Sequence, residues 1–284
     1  MERRIKLLDV QTIRSIAFQG ERGAFSEQAA LEFFRRKIAL LPAPTFEDVL
    51  KLVEQNEVDS GILPIENSLH GSVLENYDLL QHHRLSIIGE VKLRIVHCLL
   101  ANDGVKLDDL RRVYSHPQAL AQCRSFIKRL RNVEAIPAYD TAGAAKGLKE
   151  KRLTDVAAIA SAQAARDYGL KILARGIEDN RANFTRFLVL APKPVSPGTY
   201  AKTSVVFTLK SVPGALFDAL GVFATRKIDL HKIESRPIVG KPWQYLFYLD
   251  FDGSLHDQRC AEAIKNLKKV AASVKVLGSY PKAK

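Results

Sequence analysis

The stretch Ala191-Pro192-Lys193-Pro194-Val195-Ser196-Pro197-Gly198 divides the chain into two different patterns. Three prolines and a glycine in eight residues make a stiff, exposed connector. Before it, strand and helix signals alternate. Ser15 to Phe18 reads as a strand and runs into the Gly-bearing turn Gln19 to Gly23. Ser26 precedes a helix over Glu27 to Arg36, and Thr45 to Asp48 has capping-box spacing ahead of the amphipathic run Val49 to Glu54. Strands follow at Ser60 to Pro64, Ser86 to Ile88, Leu93 to Leu100, Val113 to Ser115, Ala135 to Ile136, Val156 to Ala160 and Phe187 to Leu190. The intervening helices are Ser72 to His82, one from Pro117, one from Thr141, and Ser161 to Tyr168. Such alternation predicts an α/β domain with a mainly parallel sheet covered on both faces. After the connector the order is strand (Thr203 to Leu209), helix (Gly214 to Thr225), strand (Ile228 to Arg236), strand (Tyr245 to Phe251), helix (Gln258 to Ala271), strand (Val274 to Leu277). That is βαββαβ, the ferredoxin-like plan. The expected domains are residues 14–192 and 200–280.

Composition removes several function classes. Hydrophobic residues are 46% and charged residues 26% of the 284, which excludes wholesale disorder. No run approaches the length of a membrane helix, and the basic start MERRIKLLDVQTIR has no apolar core for a secretory signal, so the cytoplasm is the expected compartment. Cys98, Cys123 and Cys260 are far apart, with no CxxC and no His pair at zinc spacing. Reduced, buried thiols are expected rather than disulfides or a metal site. Lys and Arg exceed Asp and Glu by 43 to 31, yet the charge is scattered. The densest pieces, Arg124 to Arg131 and the tail from Lys265, read as solvated helix faces, so no nucleic-acid partner is expected. A positive field of this kind equally favours a small anionic substrate.

Ligands of open α/β sheets sit beyond the carboxyl ends of strands, at helix N-termini. Five polar segments fall at such places: Gly20 to Ser26, Pro64 to Ser72, Ser115 to Gln118 with Gln122 one turn on, Asp140 to Ala144, and Asn180 to Arg186. Taken singly, each has an ordinary structural explanation. Ser26 and Thr141 suit helix caps, Glu66 a surface carboxylate, His116 a turn residue with a satisfied imidazole, and Arg186 the partner of a structural acid. Gly20 to Gly23 lacks dinucleotide spacing, and no P-loop, HExxH or GxSxG occurs. Chemistry on a small polar molecule without a cofactor remains.

Taken together the segments carry a resemblance. GERGAFSEQAA (Gly20 to Ala30), LPIENSLHGSV (Leu63 to Val73), YSHPQALAQC (Tyr114 to Cys123), YDTAGAA (Tyr139 to Ala145) and NFTRFLVLA (Asn183 to Ala191) occur in that order. They resemble the blocks of prephenate dehydratases and the related arogenate dehydratases. PGALFDAL (Pro213 to Leu220) and KIESRP (Lys232 to Pro237) resemble an ACT regulatory domain.

The resemblance implies a hydro-lyase that removes water and carbon dioxide from prephenate to give phenylpyruvate, on the route to phenylalanine. Arogenate, the aminated analogue, is the alternative substrate, and a non-catalytic ligand sensor is the rival outside enzymology. Aromatisation drives the reaction, so no cofactor and no metal are implied. Thr185 is implied as the catalytic residue, hydrogen-bonding to the departing hydroxyl, with full proton transfer left open. Asn67 binds a substrate oxygen, and Glu66 moves a proton or only orients Asn67. Gln122, with Ser115 and Gln118, supplies neutral donors to carboxylates. Thr141, Ala142 and Gly143 offer N–H groups at a helix start. Arg186 anchors a carboxylate or positions Thr185. Ser26, Ser68, Gly71, Asn183 and Phe187 complete the implied binding set.

The implied fold is a two-lobed cleft of the type-2 periplasmic-binding-protein kind, the second lobe over about 91–173. The ACT resemblance implies feedback by phenylalanine, held by Gly214, Ala215, Leu216, Asp229, Leu230, Glu234, Ser235 and Arg236 in a homodimer or homotetramer. Asp229 and His231 stand where the family often has Asn and Thr.

Overall fold

A computed structural model describes residues 7–238 and 240–283. The basic first six residues read above lie outside the described residues. The elements in chain order are β1 (Ser15–Gln19), α1 (Phe25–Phe34), β2 (Ala39–Ala43), α2 (Phe46–Glu54), β3 (Ser60–Asn67), β4 (Gly71–Ser72), α3 (Leu74–His82) and β5 (Ser86–Arg94). Then come β6 (Cys98–Ala101), β7 (Arg112–Ser115), α4 (Pro117–Gln122), α5 (Arg124–Arg129), β8 (Glu134–Pro137), α6 (Thr141–Glu150), β9 (Val156–Ala160), α7 (Ala162–Tyr168), β10 (Lys171–Arg175) and β11 (Phe184–Ala191). After the Pro-rich connector follow β12 (Ala201–Leu209), α8 (Ala215–Ala224), β13 (Leu230–Ile238), β14 (Lys241–Asp252), α9 (Gln258–Val270) and β15 (Ala271–Pro281).

The described chain forms two compact units, one of residues 14–76 and 91–187, the other of 7–13, 77–90 and 188–283. The first unit is built on two sheets. One has the order β2-β1-β3-β11-β5, with β4 on β3; the other has the order β10-β6-β9-β7-β8. Pairings of β1 with β2 and β3, and of β7 with β8 and β9, are parallel, as strand–helix alternation predicts. Strand β6 runs antiparallel to both β9 and β10, so the second sheet is mixed. The second sheet buries both faces. Leu100, Ala145, Leu148, Ala158 and Ala164 pack on one side, and Leu99, Val113, Cys123, Ile127 and Ile159 on the other.

The chain crosses between the two sheets twice, through residues 95–97 and 176–183, and the crossovers are tied together. Gly176 and Ile177 donate to the carbonyl of His97 at 2.9 and 3.2 Å, and Ile95 donates to that of Asn183 at 2.8 Å. The strand expected over Leu93 to Leu100 is therefore interrupted. Its hydrophobic run continues, but Ile95 and His97 bond to the second crossover.

The second unit contains the expected βαββαβ module, with sheet order β13-β14-β12-β15 and antiparallel pairing throughout. Helices α8 and α9 close its core around Val205, Phe207, Phe223, Leu249, Phe251, Ile264 and Leu267.

Two helix starts differ from the sequence expectation. Helix α1 begins at Phe25 with Ala24 as N-cap, so Ser26 lies in the first turn and caps nothing. Glu27 instead reaches back to accept from the N–H of Gly23. The helix expected from Ser72 begins at Leu74, because Gly71 and Ser72 pair back onto Glu66 and Asn67. The Thr45–Asp48 capping box forms as predicted.

Candidate active site

A cavity of about 480 Å³ opens where β3, β11, the first crossover and the N-terminal ends of α1, α4 and α6 converge. Of the sequence-derived residues, Ser26, Asn67, Gln118, Gln122, Thr141, Thr185 and Phe187 line it. His116, expected as a turn residue, is the N-cap of α4: its Nδ1 accepts from the Gln118 N–H at 3.3 Å. No Lys or Arg is among the described lining residues, whereas Glu75 and Asp140 are.

Asn67 ends β3 with 8% of its surface exposed, and its orientation is fixed by the backbone. The N–H groups of Leu69 and His70 donate to its Oδ1 at 3.0 and 3.1 Å. Its Nδ2 must then be the donor, and it meets Thr185 Oγ1 at 3.0 Å, Asn183 Oδ1 at 2.8 Å and the Phe184 carbonyl at 3.1 Å. Asn183, fully buried, passes the orientation on by donating from Nδ2 to Gln122 Oε1 at 2.9 Å. One hydroxyl has one proton and two acceptor positions. Because Asn67 uses an acceptor position of Thr185, the Thr185 proton stays available to a molecule in the cavity.

Side chains alternate along strands, which separates Glu66 and Arg186 from their neighbours Asn67 and Thr185. The pair approaches to 4.0 Å, and neither lines the cavity. Ser68, Gly71, Ser115, Ala142, Gly143 and Asn183 are also outside its lining. Ser68 fastens the loop after β3: its hydroxyl donates to the Ala182 carbonyl at 2.7 Å and accepts from the Phe184 N–H at 2.9 Å. Ser115, fully buried, donates to the Ile159 carbonyl at 2.6 Å. The helix start at Thr141 to Gly143 already holds an anion, since Asp140 caps α6 and accepts from the Ala142 N–H at 3.2 Å. Gly143 makes room for the ring of Tyr139, which a Cβ there would strike.

The Gly20 to Gly23 turn joins the two sheets' elements rather than cradling a ligand. The Glu21 N–H donates to Asp140 Oδ2 at 3.0 Å, and the Glu21 carboxylate pairs with Lys146 at 3.1 Å. Ser161 donates to the Gly23 carbonyl at 2.6 Å. The turn closes only on a glycine at its last position, since Gly23 has φ +84° and a Cβ would lie 2.5 Å from Ala164 Cα.

Sequence reasoning missed His97. It is 2% exposed, lines the cavity, and lies edge-on to Phe25 with ring centroids 5.4 Å apart. Its Nε2 is 2.8 Å from Gln122 Oε1, and burial depresses its pKa, so the ring is neutral at pH 7. A histidine followed by the apolar run Cys98 to Ala101 carries no periodic signal of its own. Its importance comes from the crossover that places it.

A family profile described as prephenate dehydratase matches residues 16–195. The chain belongs to the prephenate dehydratase family. An Arabidopsis thaliana relative named arogenate dehydratase/prephenate dehydratase 2, chloroplastic, is 50% identical over 94% of this chain and 72% of its own length. The solved prephenate dehydratase from Arthrobacter aurescens in complex with L-Phe superposes with a TM-score of 0.85 at 34% identity, covering 94% of this chain and 89% of that one. Another solved structure, titled as GqqA, a novel type of quorum quenching acylase, gives a TM-score of 0.87 at 36% identity over 95% and 98% of the two chains. Membership of the family thus extends over both units of the chain.

In the other unit, the residues read as an effector site fall around β13 and the start of α8. Gly214 caps α8 in the left-handed region with no atom near its missing Cβ. Arg236 is held by Asp78, with Nη2 to Oδ2 at 2.6 Å. Asp229, His231 and Asp252 bring potential metal ligands together, but the Lys282 ammonium already sits 2.9 Å from Asp252 Oδ1 and 3.0 Å from His231 Nε2.

Proposed function

We propose that the chain is a decarboxylating dehydratase acting on prephenate. The observation that carries this is the Thr185 hydroxyl on the cavity lining, which accepts from the Asn67 amide and so keeps its own proton to donate. In the proposed step the C–C bond to the ring carboxylate breaks, its electron pair enters the ring, and the ring hydroxyl leaves. Prephenate and one proton thereby become phenylpyruvate, water and carbon dioxide. Thr185 donates a hydrogen bond to the departing oxygen as negative charge gathers there.

The lining also suits retention of the substrate while one carboxylate is lost. Gln118, Gln122, Thr141 and Ser26 offer neutral donors, and the first-turn N–H groups of α1 add to them. Among the described residues no Lys or Arg lines the cavity to trap the carboxylate that must depart. An apolar cavity wall of Phe25, Ile95, Ala119 and Phe187 desolvates it and raises its energy relative to neutral carbon dioxide.

Glu75 and Asp140 favour arogenate as a second reading, since each is a carboxylate on the lining of a cavity with no Lys or Arg beside it. An ammonium at the side-chain carbon suits that environment better than a ketone does. The Arabidopsis relative carries both activities in its name.

Feedback by phenylalanine at an ACT-type site on the βαββαβ module is the accompanying proposal, supported by the L-Phe complex of the Arthrobacter protein. There Gly214 to Leu216 and Glu234 to Arg236 would meet the amino acid, and a pair of such modules in a homo-oligomer would complete the site. No helix of the described residues is long and apolar enough to cross a membrane, yet the 50%-identical relative is named chloroplastic, so the cytoplasmic expectation lacks support.

The deciding experiment offers each substrate alone to the purified chain and follows the aromatic product by NMR. Phenylpyruvate from prephenate supports the main reading, and phenylalanine from arogenate alone replaces it with the second. Binding of both without turnover of either leaves a sensor and refutes the enzyme.

A further inference from the structure

The amides around the cavity form a directed series, and its direction decides the state of a histidine. Leu69 and His70 N–H groups hold Asn67 Oδ1, so Asn67 Nδ2 donates to Asn183 Oδ1. Asn183 Nδ2 therefore donates to Gln122 Oε1. An oxygen faces His97, and the His97 nitrogen 2.8 Å from it has to carry the hydrogen. His97 Nδ1, buried and without a hydrogen-bond partner among the described residues, then bears the lone pair. A proton there would be an orphaned buried donor, which is the costlier arrangement.

On the other side of Gln122, its Nε2 lies 3.2 Å from His70 Nδ1. His70 Nδ1 is also 3.1 Å from Asn67 Oδ1, but that oxygen already takes two backbone donors, so the Gln122 amide is the donor that His70 accepts. One Gln122 hydrogen is used in this way. The other is left for a molecule in the cavity that Gln122 lines.

We infer that His97 is a positioning residue of the dehydratase: its Nε2–H, given to Gln122 Oε1, holds the Gln122 amide with its NH2 group turned to the substrate. The inference rests on the dehydratase reading of the cavity. Two donors on Oε1, from His97 and Asn183, make the flipped amide unfavourable, since flipping would set NH2 against both. His97 itself cannot turn freely. Its N–H is bonded to Glu178 Oε2 at 3.0 Å, its carbonyl takes Gly176 and Ile177, and its ring stands edge-on to Phe25. The crossover thus delivers one oriented hydrogen bond to the catalytic end of α4.

Three substitutions separate positioning from packing. His97→Gln keeps a donor where Nε2 lies, His97→Asn moves the amide to the place of Nδ1, and His97→Phe keeps the ring and its contact with Phe25. Loss of one hydrogen bond predicts about a tenfold fall in kcat/KM for His97→Asn and His97→Phe, with His97→Gln within about threefold of the wild type. Packing alone predicts the reverse order, with His97→Phe the most active, and that order overturns the inference, as do three variants equal to the wild type. A tautomer measurement by long-range 1H–15N NMR at pH 7 reads the same claim without turnover. It is expected to show Nε2 protonated and Nδ1 bare, and an Nδ1–H tautomer or an imidazolium overturns the inference. A wild type that aromatises neither substrate overturns the dehydratase reading first, and this outcome is distinct from an active wild type with insensitive variants.

Discussion

Asn67 Nδ2 and Thr185 Oγ1 lie 3.0 Å apart across two neighbouring strands, with the amide as donor and the hydroxyl as acceptor. The direction is set from outside the pair by the backbone N–H groups on Asn67 Oδ1. Asn67→Asp keeps the shape and removes the donor. The new carboxylate would take the Thr185 proton for itself and confront Asn183 Oδ1. Losing an oriented donor at a reacting oxygen predicts a fall in kcat of about 10²–10³, with a circular dichroism spectrum like the wild type. Steady-state kinetics on whichever substrate is turned over checks this.

Glu90 and Lys202 form an ion pair at 2.8 Å with both side chains almost wholly buried. Glu90 also accepts from the Ala283 N–H at 3.0 Å. Lys202→Met takes away the cation and leaves the carboxylate in a dry site, predicting a loss of about 3–5 kcal/mol. The double variant Lys202→Met with Glu90→Gln removes both charges and recovers most of that loss. Urea unfolding of the two variants beside the wild type measures the difference.

Gly23 packs its backbone on Ala164 with φ +84°. Gly23→Ala combines a left-handed alanine, about 1–2 kcal/mol, with overpacking against the start of α7, about 1–3 kcal/mol. A clear drop in melting temperature is expected. Because the turn is a latch between elements of the two sheets rather than a ligand cradle, saturating substrate should still give a measurable kcat at low temperature. A variant as stable as the wild type contradicts the packing account.

All three cysteines are free and buried, and burial raises each thiol's pKa, Cys123 most. Thiolate is the reactive form, so a raised pKa and exclusion of reagent act in the same direction. At pH 7.5 a thiol reagent should label none of Cys98, Cys123 and Cys260 in the folded chain and all three in denaturant. Mass spectrometry counts the labels.

Local chemistry made much of this fold legible. Strand β9 matches its predicted span Val156–Ala160, Ser161 caps α7 through the Ala164 N–H, and Thr45 caps α2. Each rests on neighbours within four residues. The βαββαβ module was readable for the same reason, since its elements follow one another with short connections. What escaped is set by partners distant in sequence. In sequence Ser115 reads as a substrate donor, but its hydroxyl proton goes to the carbonyl of Ile159. The N-terminus of α6 looked like an anion site, but Asp140 fills it. Glu66 and Asn67 looked like one unit, and strand alternation sends only Asn67 to the cavity. His97 had no local signal, because its role arises from a crossover that meets residues 176–178.

The central claim is that the Thr185 hydroxyl, oriented by Asn67, assists departure of the ring hydroxyl. The most direct test is Thr185→Val, which keeps the β-branched shape in β11 and removes the hydroxyl. The two proteins should unfold at similar temperatures and bind substrate with similar affinity. The account predicts kcat lower by about 10²–10³ in the variant, as for loss of one oriented donor at a developing anion. A Thr185→Val enzyme that releases aromatic product at the wild-type rate would contradict it.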